Sequence, residues 1–135
     1  MKASDAFRIM IVGGGPAGLA TALHLAHLAP ELAAQLLIVE AGQHPRSKIC
    51  GGGVTFHGEE QLRRLGIHMT APAFHVQSIR FQLEHHAFTT TCPNAMRIFQ
   101  RHEFDAALAA AADAQGLTLH NNEKLLTLEP APTGI

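Results

Sequence analysis

Tryptophan and tyrosine are missing from this 135-residue chain, which leaves phenylalanine as its one aromatic residue type. No charge of either sign dominates. The formal net charge is −1, so electrostatics make no case for nucleic acid or an anionic membrane as partner. No apolar run approaches the ~20 residues of a membrane span. The start lacks the basic stretch, apolar core and cleavage site of a signal peptide, and an apolar run begins so early that no transit segment is expected. Cysteine is scarce. Cys50 and Cys92 could pair, but nothing demands it, and a reducing cytoplasm is the expected location. Internal repeats, low-complexity linkers and a nucleophile elbow are also absent. What remains, with 47% hydrophobic and 16% charged residues, is the composition of one globular domain or part of one.

The most informative segment lies near the start. Phe7-Arg8-Ile9-Met10-Ile11-Val12 runs into Gly13-Gly14-Gly15-Pro16-Ala17-Gly18, followed by the small, apolar, helix-prone stretch 19–29. Gly13, Gly15 and Gly18 fill the G-x-G-x-x-G positions of a dinucleotide-binding βαβ unit. Gly13 permits the sharp turn off the strand, Gly15 lets a diphosphate reach the backbone, and Gly18 lets helix and strand pack closely. The helix then directs its free N–H groups and partial positive charge at the phosphates. A second apolar run, 35–39, ends in Glu40, which lies 22 residues after Gly18. That is near the spacing of about 20 at which an acid binds a ribose hydroxyl pair, and an acid favours a ribose with a free 2′-OH, as in FAD or NAD.

The pattern predicts a strand at 7–12, a helix at 16–29 stopped by Pro30, and a strand at 35–39. It predicts a basic, glycine-rich loop at 41–55 and a short helix at 56–65 ended by Gly66. Strands are expected at 78–83, with Ile79, Phe81 and Leu83 on one face, then at 87–91 and 96–99. A helix at 102–115 would bury Phe104, Leu108 and Ala111-Ala112, and parallel strand 117–120 would follow. A last strand is expected at 123–129. The fold class is therefore α/β: a Rossmann-like, mostly parallel sheet with a β-rich insertion at about 70–100. A simple NAD dehydrogenase would continue without that insertion.

The G-x-G-P-A-G turn, with its Pro16-Ala17 pair, resembles that of FAD-dependent oxidoreductases built like glutathione reductase and p-hydroxybenzoate hydroxylase. Pro45-Arg46-Ser47-Lys48-Ile49-Cys50-Gly51-Gly52-Gly53 is similar to the P-R-x-K-x-C-G-G-G stretch of the geranylgeranyl reductase family. Arg101-His102-Glu103-Phe104-Asp105-Ala106-Ala107-Leu108 is similar to the R-x-x-F-D-x-x-L helix start of the same family. The resemblance implies that residues 1–135 are the N-terminal part of an FAD/NAD(P)-binding domain, lacking a later glycine-aspartate segment and a substrate domain. Such a piece alone is expected to be marginally stable and inactive. By the same resemblance, Gly13, Gly15, Pro16, Ala17 and Gly18 would hold the FAD diphosphate. Glu40, with Ala41 beside it, would hold the adenosine ribose. Arg46 and Lys48 would lie along the ribityl and phosphate side, Cys50 and Gly52 beside the flavin ring, and Arg101 would reach back to the cofactor.

The residues themselves leave alternatives open. Arg46 and Lys48 follow the second strand, at the sheet end where α/β folds bind ligands, though a solvated basic loop has the same composition. Three successive glycines are entropically costly to order, which backbone approach to a flat ring would explain; a flexible loop would not need it. Cys50 reads as a packing or substrate-side residue rather than half of a redox pair. Asp105 reads as a carboxylate favoured by the helix dipole. His24 and His27 share a helix face and His85-His86 are adjacent, but neither pair has the spacing of a metal site. The implied activity is hydride transfer from reduced flavin to an isoprenoid-type carbon–carbon double bond, with NAD(P)H a candidate electron donor and a small, lipid-like molecule the substrate. Peripheral membrane contact would fall to regions beyond this chain. A flavin monooxygenase or halogenase, a non-catalytic nucleotide-binding module and an NAD-only dehydrogenase are the alternatives, and no catalytic residue is named.

Overall fold

In the computed structural model, which describes residues 7–130, the central strand is the one whose residues are all buried. Strand β2 (Leu36–Glu40) lies between β1 (Ile9–Val12) and β8 (Thr118–Asn121), and both pairings are parallel. Burial on both faces is why β2 reads Leu-Leu-Ile-Val without polar alternation. Helix α1 (Pro16–Leu28) makes the crossover from β1 to β2. It ends one residue earlier than predicted, and Pro30 opens a tight 3-10 turn, Pro30–Gln35, rather than only stopping the helix.

Between β2 and the last parallel strand lies the expected β-rich insertion. It contains β4 (Ala73–His75), β5 (Ser78–Leu83), β6 (His86–Thr91) and β7 (Met96–Phe99). Strand β7 pairs antiparallel with β4 and with β3 (Gly53–Thr55), a strand inside the segment read as loop. Helix α2 (Phe56–Arg64) starts directly after β3. The Thr55 hydroxyl accepts from Gly58 N–H at 3.2 Å, so Thr55 is its N-cap. Bidentate contacts of 2.6 Å from Arg97 to Glu59 tie α2 to β7. Among the described residues strands β5 and β6 pair only with each other, and their apolar side chains stay largely in solvent, Phe81 stacking on Phe88 at 4.8 Å.

Helix α3 (Arg101–Ala114) returns the chain to β8. Phe104, Leu108 and Ala112 are buried as expected, together with Asp105 and Ala109; Ala111 lies at the margin. The core joins this face to Leu19, Ala22 and Leu23 of α1, Leu36 and Ile38 of β2, and Leu62 of α2. The strand expected at 123–129 is not formed. Leu126 and Leu128 are exposed there, and apart from a 3.0 Å bond from Glu123 N–H to the Glu40 carbonyl nothing binds the segment as a ladder would. No helix among the described residues is long and apolar enough to cross a membrane.

Candidate functional site

The glycine turn sits at the carboxyl end of β1, where the chain enters α1. Gly13 adopts φ +106°, a conformation a side chain opposes, and its N–H donates to the Val39 carbonyl at 2.8 Å. At Gly18 a Cβ would collide with the Gly13 carbonyl oxygen and stand 3.2 Å from Ile11 Cγ2. Helix and strand therefore approach as closely as backbone permits. Gly15 is the N-cap of α1, in extended conformation, and no side chain caps the helix. The helix's first free N–H groups thus lack a protein partner from a capping side chain, and they carry the positive end of the dipole.

Glu40, at the end of β2, is 8% exposed and reaches back to this turn. Its Oε2 accepts the Gly14 N–H at 2.8 Å and lies 3.2 Å from Arg46 Nη2; its Oε1 accepts the Gly42 N–H at 2.9 Å. Burial opposes its ionisation. The Gly42 and Gly14 N–H groups, then the charges of Arg46 and His44, outweigh that and hold the carboxyl below its ordinary value. Glu40 is thus an anion at neutral pH, with most of its roughly four acceptor positions already used. The His44 ring bridges the same region, Nε2 2.9 Å from the Gly14 carbonyl and Nδ1 2.9 Å from Asn121 Oδ1. Ala41 and Lys48 are exposed and enter none of these ion pairs.

A second carboxylate joins the two expected arginines. Asp105 is fully buried, and Arg101 donates to both its oxygens, Nε to Oδ1 at 2.8 Å and Nη2 to Oδ2 at 2.9 Å. Arg46 Nη2 lies 3.6 Å from the same Oδ2. Signs alternate along the row Glu40, Arg46, Asp105, Arg101, and the Arg46 Nε–H is buried without a partner among the described residues. Asp105 is therefore more than a carboxylate favoured by a helix dipole. Its spacing of four from Arg101, on the face that also presents Phe104 and Leu108, was the signal that could have shown it. His44 and Asn121 carried no comparable signal, since Asn121 arrives from a distant strand.

Arg101 borders a cavity of about 410 Å³, lined also by Pro16, Ala20, Cys50, Gly52 and Phe104. Gly52, at φ +70°, meets the backbone of Phe99: a Cβ there would strike the Phe99 carbonyl, and Phe99 N–H donates to the Gly52 carbonyl at 3.0 Å. The close approach expected of this glycine stretch is thus made, at Gly52, by protein backbone. Gly51 has open space around it. Cys50 and Cys92 are both free and exposed. The Gly52 N–H, 3.5 Å from Cys50 Sγ, together with Arg101, holds the Cys50 thiol below its usual value. The structure brings Gly13, Gly15, Gly18, Glu40 and Arg46 to one end of the sheet, and Pro16, Cys50, Gly52 and Arg101 to the adjoining cavity. Ala17 is exposed on the first turn of α1.

This is the parallel α/β fold of flavin-dependent enzymes. The halogenase CmlS, a flavin-dependent halogenase, superposes with a TM-score of 0.67 at 24% identity, over 84% of this chain and 22% of that one. A geranylgeranyl bacteriochlorophyll reductase-like protein from Thermoplasma acidophilum superposes at 0.65 with 23% identity, over 85% of this chain and 30% of its own. In sequence, the chain is 39% identical over 59 residues to the menaquinone reductase of Mycolicibacterium smegmatis, covering 44% of this chain and 13% of that protein. The chain thus spans well under half the length of each of these proteins. No family model matches it.

Proposed function

We propose that this chain binds FAD and forms the N-terminal, dinucleotide-binding part of a flavin-dependent oxidoreductase, residues 70–100 being its inserted β-rich segment. One observation carries the reading. A turn free of side chains leads into an uncapped helix N-terminus, with an ionised glutamate at the end of the adjoining parallel strand and a cation over Gly15. The cradle fits the group: Arg46 Nη2 would lie 3.4 Å from a Cβ at Gly15, and the Arg46 Nε–H has no partner among the described residues. Gly13, Gly15, Pro16, Ala17 and Gly18 would receive the diphosphate, with Arg46 and Lys48 offsetting its charge. Glu40, with Ala41, would hold the adenosine ribose, exchanging some of its backbone hydrogen bonds for hydroxyl groups. Cys50, Gly52 and Arg101 would border the flavin. FAD, when bound, supplies hydride-transfer chemistry, and the protein orients it.

For the whole protein we favour reduction of an isoprenoid-type carbon–carbon double bond, with NAD(P)H as candidate donor. The names of the menaquinone reductase and of the geranylgeranyl bacteriochlorophyll reductase-like protein support this. The fold shared with CmlS supports the second reading, an oxygen-using monooxygenase or halogenase. Titrating the chain with FAD while following flavin fluorescence and thermal unfolding tests the cofactor. Quenching and a raised Tm are expected; neither, at saturating FAD, refutes it. Anaerobic product analysis of the whole enzyme separates the reactions, because alkene reduction proceeds without oxygen and hydroxylation does not.

A further inference from the structure

We propose that Asp105 is a positioning residue whose buried carboxylate sets Arg101 toward the cavity and Arg46 toward the glycine turn, so that both cations are oriented before a dinucleotide arrives. The proposal rests on the FAD reading above and deepens it. Asp105 has no exposure, and among the described residues its partners are these two guanidiniums. Burying a carboxylate is unfavourable unless it is paired, and the two arginines offset that cost for this one. The guanidinium is planar and rigid, and fixing one edge fixes the other. Asp105 occupies Nε and Nη2 of Arg101, which leaves Nη1 outside that pairing, and Arg101 lines the cavity together with Cys50 and Gly52. Its Oδ2 lies 3.6 Å from the Arg46 Nη2 that also meets Glu40 at 3.2 Å, which holds that side chain beside Gly15, while the buried Arg46 Nε–H has no partner among the described residues. The row of four charges sums to zero before a ligand binds. Neither arginine is therefore neutralised by more than its share, and each keeps donors for an anion. Orientation fixed in advance strengthens binding by lowering the ordering cost at the moment of association.

The test compares FAD affinity of the full chain in wild type, D105N, R101Q and the double variant, by flavin fluorescence. The amide of D105N keeps the shape but turns a donor toward Nη2–H. D105N and R101Q should each weaken FAD by about tenfold or more, the loss of one charge-assisted contact. The double variant should be no weaker than about twofold below D105N, because the contribution of Arg101 already depends on Asp105. A D105N affinity within about twofold of wild type, or losses that multiply, overturns the proposal. A second measurement needs no variant to fold: the Arg101 Nε–H, read by side-chain NMR in the wild-type chain, should resist solvent exchange. Exchange as fast as that of the exposed Arg63 overturns the proposal whatever the variants do. If wild type takes up no FAD while the Arg101 Nε–H is protected, the cofactor reading is what has failed, and the pair is then structural only.

Discussion

Replacing Gly18 by alanine is the sharpest probe of how the turn is built. The added methyl would press on the Gly13 carbonyl oxygen, with Gly13 C and Ile11 Cγ2 each 3.2 Å away. Two of those three atoms are backbone and cannot rotate aside, so α1 must move off β1. Overpacking costs about 1–3 kcal/mol, and a backbone obstacle argues for the top of that range, about 3 kcal/mol. For a chain of this size that corresponds to a fall in Tm of roughly 10 °C. Two companion variants isolate the cause. At Gly51 a Cβ meets nothing within 4 Å, so Gly51→Ala should change stability by less than ~0.5 kcal/mol. At Gly15 the one neighbour is Arg46 Nη2 at 3.4 Å, the end of a flexible side chain. Gly15→Ala should therefore leave Tm nearly unchanged while weakening FAD, because its methyl stands where the diphosphate approaches. Thermal unfolding of the three variants, with FAD titration, decides. A Gly18→Ala protein that melts within about 2 °C of wild type would refute the reasoning.

Glu40 has a depressed folded-state pKa, so its ionised form stabilises the protein above the unfolded carboxyl value of 4.5, and that stability is lost as pH falls through the lower folded value. The stability gap between wild type and E40Q, from urea unfolding, should be constant near neutrality and narrow below about pH 4.5; a gap that widens on acidification contradicts this. In a C92S background, the pH profile of Cys50 alkylation should have its midpoint below the ordinary thiol value of 9.0, and R101Q should move it upward. No movement would remove Arg101 as a cause. Leu23→Ala, at a fully buried core site on α1, should cost about 2–5 kcal/mol in chemical unfolding. Less than ~1 kcal/mol would mean the side chain is not part of the core.

The β1–α1–β2 unit was legible because each element carries its own local signal: an apolar strand, glycines with a geometric purpose, a small-residue helix and an acid at the right interval. Helix α3 and strand β8 were legible for the same reason. Strands β3 and β4 were not. Each has three residues, and each exists because β7 offers it a partner, a non-local hydrogen-bond ladder that local sequence does not encode. The opposite error was made at 123–129, where apolar residues suggested a strand but no neighbour among the described residues supplies the ladder. The alternation in β5 was read correctly as a strand, yet its apolar face is open: Leu83 is 77% exposed. At the site, single residues with motif positions were foreseeable. Partnerships were less so, since Asp105 lies in a helix 65 residues from Glu40 while the two flank one arginine.

The stitch between Gly52 and Phe99 fixes more than its own neighbourhood. It brings the two halves of the cavity wall together at the base of everything lying between them, so residues 73–91 form an excursion that leaves and returns to one place. Chain length in that excursion is decoupled from the geometry of Cys50 and Arg101. The hairpin tip at Glu84-His85 is therefore the natural place to graft an epitope or a reporter, or to trim the protein, without retuning the chemistry next door.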